Sequence, residues 1–194
     1  MQAKKLKIFV NIPELRTERL ILRKITRRDL DDVYEYASDG EVSKYLLWEK
    51  HPEKYYTRSY LSLIESKYRK AEFYDWGIEL DGKMIGTCGF SSISCENNSA
   101  EVGYVINRAY WGKGIALEAL RAVLSFGYDV LGLNRIECRV MSENKGSIRV
   151  LEKCAMKFEG VLRQALLVKG VYRDISIYSM LKDEYIALKY DSDR

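Results

Sequence analysis

Apolar and polar residues alternate along several stretches of this chain, and turn-forming residues separate one stretch from the next. Alternation with a period of two indicates a half-buried strand, whereas apolar residues three and four positions apart indicate a helix. The first alternating stretch predicts a strand over Arg19 to Ile25. Two helices are predicted after it: Thr26 caps the first, over Arg27 to Ser38, and Pro52 begins the second, which runs to about Lys70.

Glycine turns divide the rest of the chain into hairpins and strand–helix units. Asp81-Gly82 and Lys169-Gly170 are typical of the tight turns that join two antiparallel strands. Gly132 stands where the helix before it is expected to stop. The predicted strands cover residues 73–80, 84–94, 100–107, 135–141, 158–168 and 171–181, and the predicted helices cover 115–130 and 144–153.

The predicted order of elements is β-α-α-β-β-β-α-β-α-β-β. Hairpins at both ends flank a single strand–helix–strand unit, and a helical crossover is typical of two parallel strands. We therefore predict an α/β protein with a mixed, mostly antiparallel central sheet flanked by helices. The chain has 194 residues, of which 47% are hydrophobic, so a single domain over residues 1–194 is expected.

Composition and charge argue against several functional classes. The 32 basic and 28 acidic residues are interspersed and leave a net charge of +4, so no basic stripe indicates nucleic-acid binding. No stretch approaches the roughly 20 apolar residues of a membrane span, and Met1 to Val10 lacks the apolar centre of a signal peptide. His51 is the one histidine, so neither a His-based metal site nor a Ser-His-Asp triad is expected. We expect a cytoplasmic protein that binds no nucleic acid, membrane or metal.

The four cysteines, Cys88, Cys95, Cys138 and Cys154, show no C-x-x-C spacing. That spacing is typical of zinc sites and of redox-active thiols. Without it, these side chains are expected to be buried thiols in a reducing compartment.

The segment most informative about function is the glycine turn, Trp111-Gly112-Lys113-Gly114, which follows a predicted strand and opens the helix at Ile115. Two glycines at such a turn expose unpaired main-chain N–H groups at a helix N-terminus, where the helix dipole is positive. A row of such donors binds phosphate oxygens. A site for a phosphate-bearing ligand is therefore the first functional hypothesis.

Two common phosphate-binding motifs do not fit this turn. A P-loop requires a glycine followed by Lys and then Ser or Thr, which is absent. A dinucleotide fingerprint requires a third glycine where this chain has Leu117, and only Glu143 is a loose candidate for its acidic residue. Dinucleotide binding stays as an alternative that the glycines alone favour.

The glycine turn and its flanking segments match one family in order and spacing. The turn resembles the acetyl-CoA-binding motif [QR]-x-x-G-x-[GA] of the GNAT superfamily of N-acetyltransferases, with Gly114 and Ala116 at the last two fixed positions. Trp111 stands at the first fixed position, where the motif has Gln or Arg. The helix over 144–153 resembles the superfamily motif N-x-x-S-x-x-V-L-E-K. The segments that resemble the RimJ/RimL-type branch extend the match to about residues 16–183, and they are 20–23, 100–104, 110–119, 171–174 and 178–181.

The resemblance implies where acetyl-CoA binds. Its pyrophosphate would lie on the glycine turn, and its pantetheine arm would pair like an extra strand with the end of the preceding strand. A bulge near Gly103 would splay that strand from the strand over 135–141 and open a V for the arm. The residues that the resemblance assigns to acetyl-CoA are Val105, Ile106, Asn107, Trp111, Gly112, Lys113, Gly114, Ile115, Ala116, Leu117 and Asn144.

The implied reaction is direct attack of an amine on the thioester within a ternary complex. Glu101 is the candidate base, acting through water or with a pKa raised by burial. The alternative is that Glu101 is an exposed structural residue. Many superfamily members place a tyrosine acid where this chain has Leu151. Ser147 is the candidate to replace that acid and protonate the sulfur. The alternative role of Ser147 is hydrogen bonding at the helix N-terminus.

The expected acceptor is a protein N-terminal α-amino group, as the RimJ/RimL resemblance implies. An α-amino group, with a pKa of about 7.8, loses its proton more easily than a lysine, with a pKa of about 10.4. A small amine such as a polyamine or an antibiotic, and a catalytically silent acyl-CoA-binding sensor, stay as alternatives. We expect a monomer or homodimer, with acceptor choice set by residues 41–60 and the turn at 169–170. The candidate wall residues are Tyr45, Trp48, Tyr55, Tyr56, Tyr60, Tyr104 and Tyr172.

Overall fold

The computed structural model describes residues 6–192, in which eight strands form one continuous sheet. The order across the sheet is β1-β2-β3-β4-β5-β6-β8-β7 in chain numbering, and every neighbouring pair is antiparallel except β5 and β6. This confirms the predicted mixed, mostly antiparallel sheet. The strands are β1 (Leu15–Arg16), β2 (Ile21–Arg23), β3 (Tyr74–Leu80), β4 (Lys83–Ser94), β5 (Ser99–Ile106), β6 (Arg135–Met141), β7 (Lys157–Val168) and β8 (Val171–Leu181).

The helices match the predicted ones closely, with small shifts at their ends. The predicted cap of the first helix is confirmed, because Thr26 and Asp29 form a reciprocal capping box. The helix that begins at Ile115 continues into a π-helical turn over Phe126–Val130, so its predicted end near Val130 is confirmed. The helices are α1 (Leu30–Ala37), α2 (Gly40–Ser43), α3 (Lys54–Arg69), α4 (Ile115–Ser125), α5 (Lys145–Lys153) and α6 (Lys182–Ser192), with short 3-10 turns at Lys7–Asn11, Arg27–Asp29 and Arg108–Tyr110.

The sequence pattern does not predict β1, α2 or α6. The strand β1 has two residues and α2 has four, too few to show a period. In α6 the apolar residues are spread around the helix, so no amphipathic stripe marks it. The first strand is also shorter than predicted, because pairing with β3 covers only Ile21–Arg23.

The two faces of the sheet carry different helices. Consecutive strand residues point to opposite faces, so Asp75 and Trp76 of β3 mark the two sides. The ring of Trp76 contacts Phe126, at the end of α4, with 5.1 Å between centroids. The charge of Asp75 acts on Tyr36 of α1 and Tyr60 of α3. We call the face with α1 and α3 the front face, and the face with α4 and α5 the rear face.

The rear-face core is organised around Trp76. This side chain has no exposed surface, and its indole N–H donates to the Pro13 carbonyl at 2.7 Å. Phe9 and Phe126 contact it edge-on, at 5.8 and 5.1 Å between ring centroids. Edge-to-face pairs of this kind add to the energy of burial, so Trp76 holds the N-terminal segment, the sheet and the end of α4 together.

The strands β5 and β6 separate soon after they meet. Their parallel pairing has three residue pairs, from Ser99 with Arg135 to Glu101 with Glu137, and the strands diverge beyond these. The expected V between the two strands is therefore present. The expected bulge near Gly103 is wrong in position, because the extra residue is Ser91 of β4, opposite Glu101 and Val102. Gly103 itself pairs regularly with Gly89.

An ion pair joins the start of the chain to the beginning of α4. Arg19 pairs with Glu118 at 2.6 Å, and Thr17 donates a hydrogen bond to the same carboxylate at 2.6 Å. Burial raises the pKa of Glu118, but the hydrogen bonds from Thr17 and Arg19 lower it by more, so the net shift is downward. The first turn of α4 is thereby held against the segment before β2.

Three of the cysteines are buried and Cys95 is half-buried, so the prediction of buried thiols is confirmed for Cys88, Cys138 and Cys154. Burial raises the pKa of Cys138 and of Cys154 to about 12, which keeps both thiols protonated at neutral pH. None of the helices between residues 6 and 192 has the length and apolar content required to span a bilayer.

Replacing Trp76 by alanine is expected to lower the free energy of unfolding by about 3–5 kcal/mol, because it leaves a cavity and removes three contacts at once. Urea unfolding followed by far-UV circular dichroism measures this. The control is Tyr55→Ala, at a side chain that is 67% exposed, with an expected change within about 0.5 kcal/mol. Equal losses in the two variants would contradict the central position of Trp76.

The Glu118→Gln variant is expected to unfold more easily at pH 7, by about 1–2 kcal/mol, because it weakens charge-assisted hydrogen bonds. The pKa of Glu118 is lower in the folded chain than in the unfolded one, so this stabilisation is complete above about pH 4.3. It disappears as the pH falls through the folded-state pKa. Unfolding of both proteins at pH 7 and at pH 3 tests this, and a difference that does not become smaller at pH 3 would contradict it.

Candidate active site

The glycine turn has the geometry of an anion site. Gly112 and Gly114 have φ angles of 74° and 78°, in the left-handed region that favours glycine. Gly114 is the N-cap of α4, and no side chain accepts hydrogen bonds from the first turn of the helix there. Residues 111–114 are exposed. The N–H groups at the start of α4 are therefore accessible to a phosphate group from solvent.

Three contacts hold this turn in place. The indole N–H of Trp111 donates to the Ile106 carbonyl at 2.8 Å. Arg19 donates to the Lys113 carbonyl at 3.1 Å while it pairs with Glu118. The ammonium group of Lys113 lies 5.1 Å from the centre of the Tyr110 ring. Arg19 was not predicted as a site residue, because its contact depends on β1 and β2 lying beside α4.

The edge of β5 that faces the V is formed by alternate residues. Asn107 donates its main-chain N–H to Ile85 of β4 at 2.8 Å, so by alternation the main-chain groups of Val105 also point to β4. Those of Tyr104 and Ile106 point into the V. The Asn107 side chain is buried and occupied, because it donates to Glu35 at 2.8 Å and accepts from Ala109 at 3.0 Å. Of the three residues assigned to the pantetheine arm, Ile106 is the one whose main chain faces the V.

Glu101 lies at the point where β5 and β6 part. It is the last β5 residue paired with β6, and its side chain is 31% exposed. Arg139 of β6 forms an ion pair with it at 3.8 Å. A partly exposed carboxylate therefore stands at the narrow end of the V, where water can reach it.

Ser147 is joined to the rear side of the V through Tyr104. Its main-chain N–H donates to the Asn144 side chain at 3.1 Å, so Asn144 caps α5. The Ser147 hydroxyl forms a hydrogen bond of 2.7 Å with the Tyr104 hydroxyl. Burial raises the pKa of Tyr104 far above its ordinary value, which keeps this phenol protonated. Tyr104 was expected at the acceptor site or in the core. Its ring packs against the core, and its hydroxyl contacts Ser147.

The two segments expected to select the acceptor meet on the front face. Lys169, at the turn between β7 and β8, donates to the Ser43 carbonyl at 2.8 Å. Tyr45 packs against a small cluster formed by Met141, Val168 and Ile175, which belong to β6, β7 and β8. Residues from both segments thus enclose the front face beside the V.

The predicted wall residues divide into inward and outward groups. The rings of Trp48 and Tyr60 flank His51, with centroid distances of 5.5 and 6.0 Å. The outward-pointing tyrosines are exposed over more than half of their surface, and they are Tyr55, Tyr56 and Tyr172. The outward group is open to solvent.

Comparisons with known proteins agree on one family. Residues 19–157 match the family model described as the acetyltransferase (GNAT) domain. The uncharacterized N-acetyltransferase p20 of Bacillus licheniformis is 39% identical to this chain over 173 residues, which cover 88% of the chain and 97% of that protein. Spermidine N(1)-acetyltransferase of Escherichia coli (strain K12) is 25% identical over 166 residues, which cover 86% of the chain and 88% of that protein.

A solved structure shares the architecture. The crystal structure of a GNAT-family acetyltransferase from Bacillus anthracis superposes with a TM-score of 0.80 at 29% identity, covering 89% of this chain and 100% of that one. Acetyl-CoA is the acetyl donor of this family, and the open N–H groups of the glycine turn suit its pyrophosphate. The chain therefore belongs to the GNAT acetyltransferase family and is an acetyl-CoA-dependent N-acetyltransferase.

Proposed function

We propose that this protein, acting as a single domain, transfers the acetyl group of acetyl-CoA to a free N-terminal α-amino group by direct attack in a ternary complex. The observation that supports this most strongly is the V between β5 and β6, with an anion site at one end and the Glu101 carboxylate at the other. The V therefore connects a binding site for acetyl-CoA to a carboxylate that can accept a proton from the amine.

In this proposal the donor binds through main-chain groups. The pyrophosphate accepts hydrogen bonds from N–H groups between Gly112 and Leu117, and Lys113 adds positive charge from the outer side. The amides of the pantetheine arm pair with the free edge of β5 at Tyr104 and Ile106, as an added strand does. An N–H group on the same edge polarises the thioester carbonyl and stabilises the oxyanion that forms on attack.

Glu101 and Ser147 have complementary roles in the chemistry we propose. The ordinary pKa of a glutamate, about 4.3, lies far below that of an amine, so Glu101 takes the proton through a water molecule. The departing thiolate, with a pKa of about 8.5 as a thiol, takes a proton from the Ser147 hydroxyl. The protonated Tyr104 phenol, 2.7 Å away, replaces that proton and regains its own from water.

The proposed acceptor class follows from the free energy needed to remove a proton from the amine. Deprotonating an α-amino group rather than a lysine saves about 2.6 pKa units, close to 3.5 kcal/mol. Because carboxylates are weak bases, a site that relies on them removes a proton more easily from the more acidic α-ammonium group than from a lysine. The similarity to an enzyme named for spermidine keeps small polyamines as a second candidate class. The RimJ/RimL type, which acts on protein N-termini, is the subtype we propose.

Release of free thiol from acetyl-CoA tests the acceptor class directly. Short peptides with free N-termini are expected to give turnover, whereas the same peptides with blocked N-termini and an internal lysine are expected to give at least tenfold less. Spermidine and an aminoglycoside form the comparison panel. Turnover with spermidine alone would move the assignment to small amines, and tight CoA binding without any turnover would favour the silent sensor.

The Glu101→Gln variant is expected to lower kcat about 100-fold or more, because general-base catalysis contributes about that much. Ser147→Ala is expected to lower kcat about tenfold, since water can partly replace the hydroxyl. Isothermal titration with CoA is expected to give unchanged affinity for both. The matched control is Glu96→Gln, at an exposed turn residue. Wild-type rates in both variants would contradict these two roles and leave the acceptor class unaffected.

A further inference from the structure

The Asp75 carboxyl group is a negative group without a positive partner. Asp75 lies on β3, on the front face, and it is half-buried. Among residues 6–192, no lysine, arginine or histidine neutralises it, and loss of water is the one cause that shifts its pKa. Enclosed carboxylates are normally paired with a cation. Asp75 therefore lacks a cationic partner within the described residues, and a cationic ligand would supply one.

A row of small residues connects Asp75 to the V. Asp75 pairs with Gly89 of β4, and Gly89 pairs with Gly103 of β5. A Cβ atom added to Gly89 would lie 2.4 Å from the Asp75 Oδ1 atom, so the carboxyl group leans over Gly89. A Cβ atom added to Gly103 would meet nothing within 4 Å. The front face therefore carries no side chain at Gly89 or Gly103, and the space above Gly103 is open.

The spacing of the sheet sets the distances along this row. Neighbouring strands are about 4.8 Å apart, so Gly103 lies about 10 Å from Asp75 and next to the V. Because the carboxyl group leans over Gly89, a nitrogen bonded to Oδ1 lies within about one strand spacing of Gly103. An amine at that point lies on the side of Asp75 that faces the edge of β5.

The groups around Asp75 are neutral at physiological pH. Burial raises the pKa of Tyr36 and of Tyr60 well above the ordinary value, and the charge of Asp75 raises both further. Burial also raises the pKa of Asp75 itself to about 7. The titratable groups that the Asp75 charge reaches are Tyr36 of α1, Tyr60 and Tyr68 of α3, and Cys88 of β4.

We propose that the Asp75 carboxylate binds the ammonium group of the acceptor on the front face and takes its first proton. This rests on the proposed function, since it assigns the acceptor half of the same site. Glu101 then takes the second proton, through water, as the amide forms.

The proton transfers balance for this scheme. The ammonium group gives one proton to Asp75, and the freed nitrogen lone pair attacks the carbonyl carbon of the thioester. As the C–S bond breaks, the thiolate takes one proton from Ser147, and the new amide nitrogen loses its second proton to water beside Glu101. A proton from water restores Ser147 through Tyr104. Asp75 returns its proton to solvent after the product leaves. The net reaction converts an ammonium group and acetyl-CoA into an amide, free CoA and one released proton.

The scheme also favours one amine class. A carboxyl group that titrates near pH 7 is matched to an α-ammonium group with a pKa of about 7.8, so the transfer costs little. Transfer from a lysine or a polyamine, with a pKa of about 10.4, is unfavourable by more than three pKa units.

The test replaces Asp75 by asparagine, which has nearly the same shape and no charge. With a free-N-terminus peptide, the KM of the variant is expected to rise at least tenfold and kcat/KM at pH 7 to fall at least 100-fold. The affinity for CoA is expected to stay within twofold, which also shows that the variant is folded. The wild-type rate is expected to rise with pH through about 7, and the variant is expected to lose that rise. The matched control is Asp81→Asn, in the exposed turn between β3 and β4.

A second readout separates this proposal from the proposed function. The Asp75 carboxyl carbon, followed by ¹³C NMR, is expected to titrate at a lower pH when a free-N-terminus peptide and CoA are bound, because the ammonium group stabilises the carboxylate. A wild-type KM and pH profile in Asp75→Asn, with no change in that titration, would overturn the role of Asp75 while acetyl transfer stands. Failure of the wild type to acetylate any amine would instead overturn the proposed function.

Discussion

The separation of β5 from β6 is the constraint on which the rest of the site depends. Three parallel pairs hold the strands together as far as Glu101 and Glu137, and no pairing continues beyond them. Each strand keeps a full antiparallel partner on its other side, β4 for β5 and β8 for β6. The sheet can therefore open at its centre without losing its integrity. The main-chain groups of an unpaired strand edge can form hydrogen bonds with another extended chain that carries amides. The pantetheine arm of acetyl-CoA is such a chain.

The two faces of the sheet carry the two halves of the reaction we propose. On the rear face, α4 and α5 begin close to the V, with the glycine turn before one and the capped Ser147 turn in the other. On the front face, the glycines opposite Asp75 remove the side chains that would otherwise fill the space beside β5. Donor and acceptor can thus approach the same strand edge from different sides.

The local parts of this arrangement were predictable from sequence, and the parts that depend on distant segments were not. The capping box at Thr26, the Asp81-Gly82 turn and the glycine turn before Ile115 each depend on a few adjacent residues. The extra residue that bends the sheet lies in β4, although the pattern around Gly103 of β5 predicted it there. A register shift belongs to a pair of strands, so neither strand alone determines which one carries it.

By itself, the sequence determined the order of the longer elements, the resemblance to the family and the glycine turn with free N–H groups, because hydrophobic period and turn chemistry are local properties. Only the tertiary structure decided which side chains share the site. It joined Arg19 to the glycine turn, Ser147 to Tyr104, and Asp75 to a row of glycines. These partners lie between 14 and 94 positions apart in the chain. The spacing of strands in the sheet, which no local pattern encodes, brings them within reach.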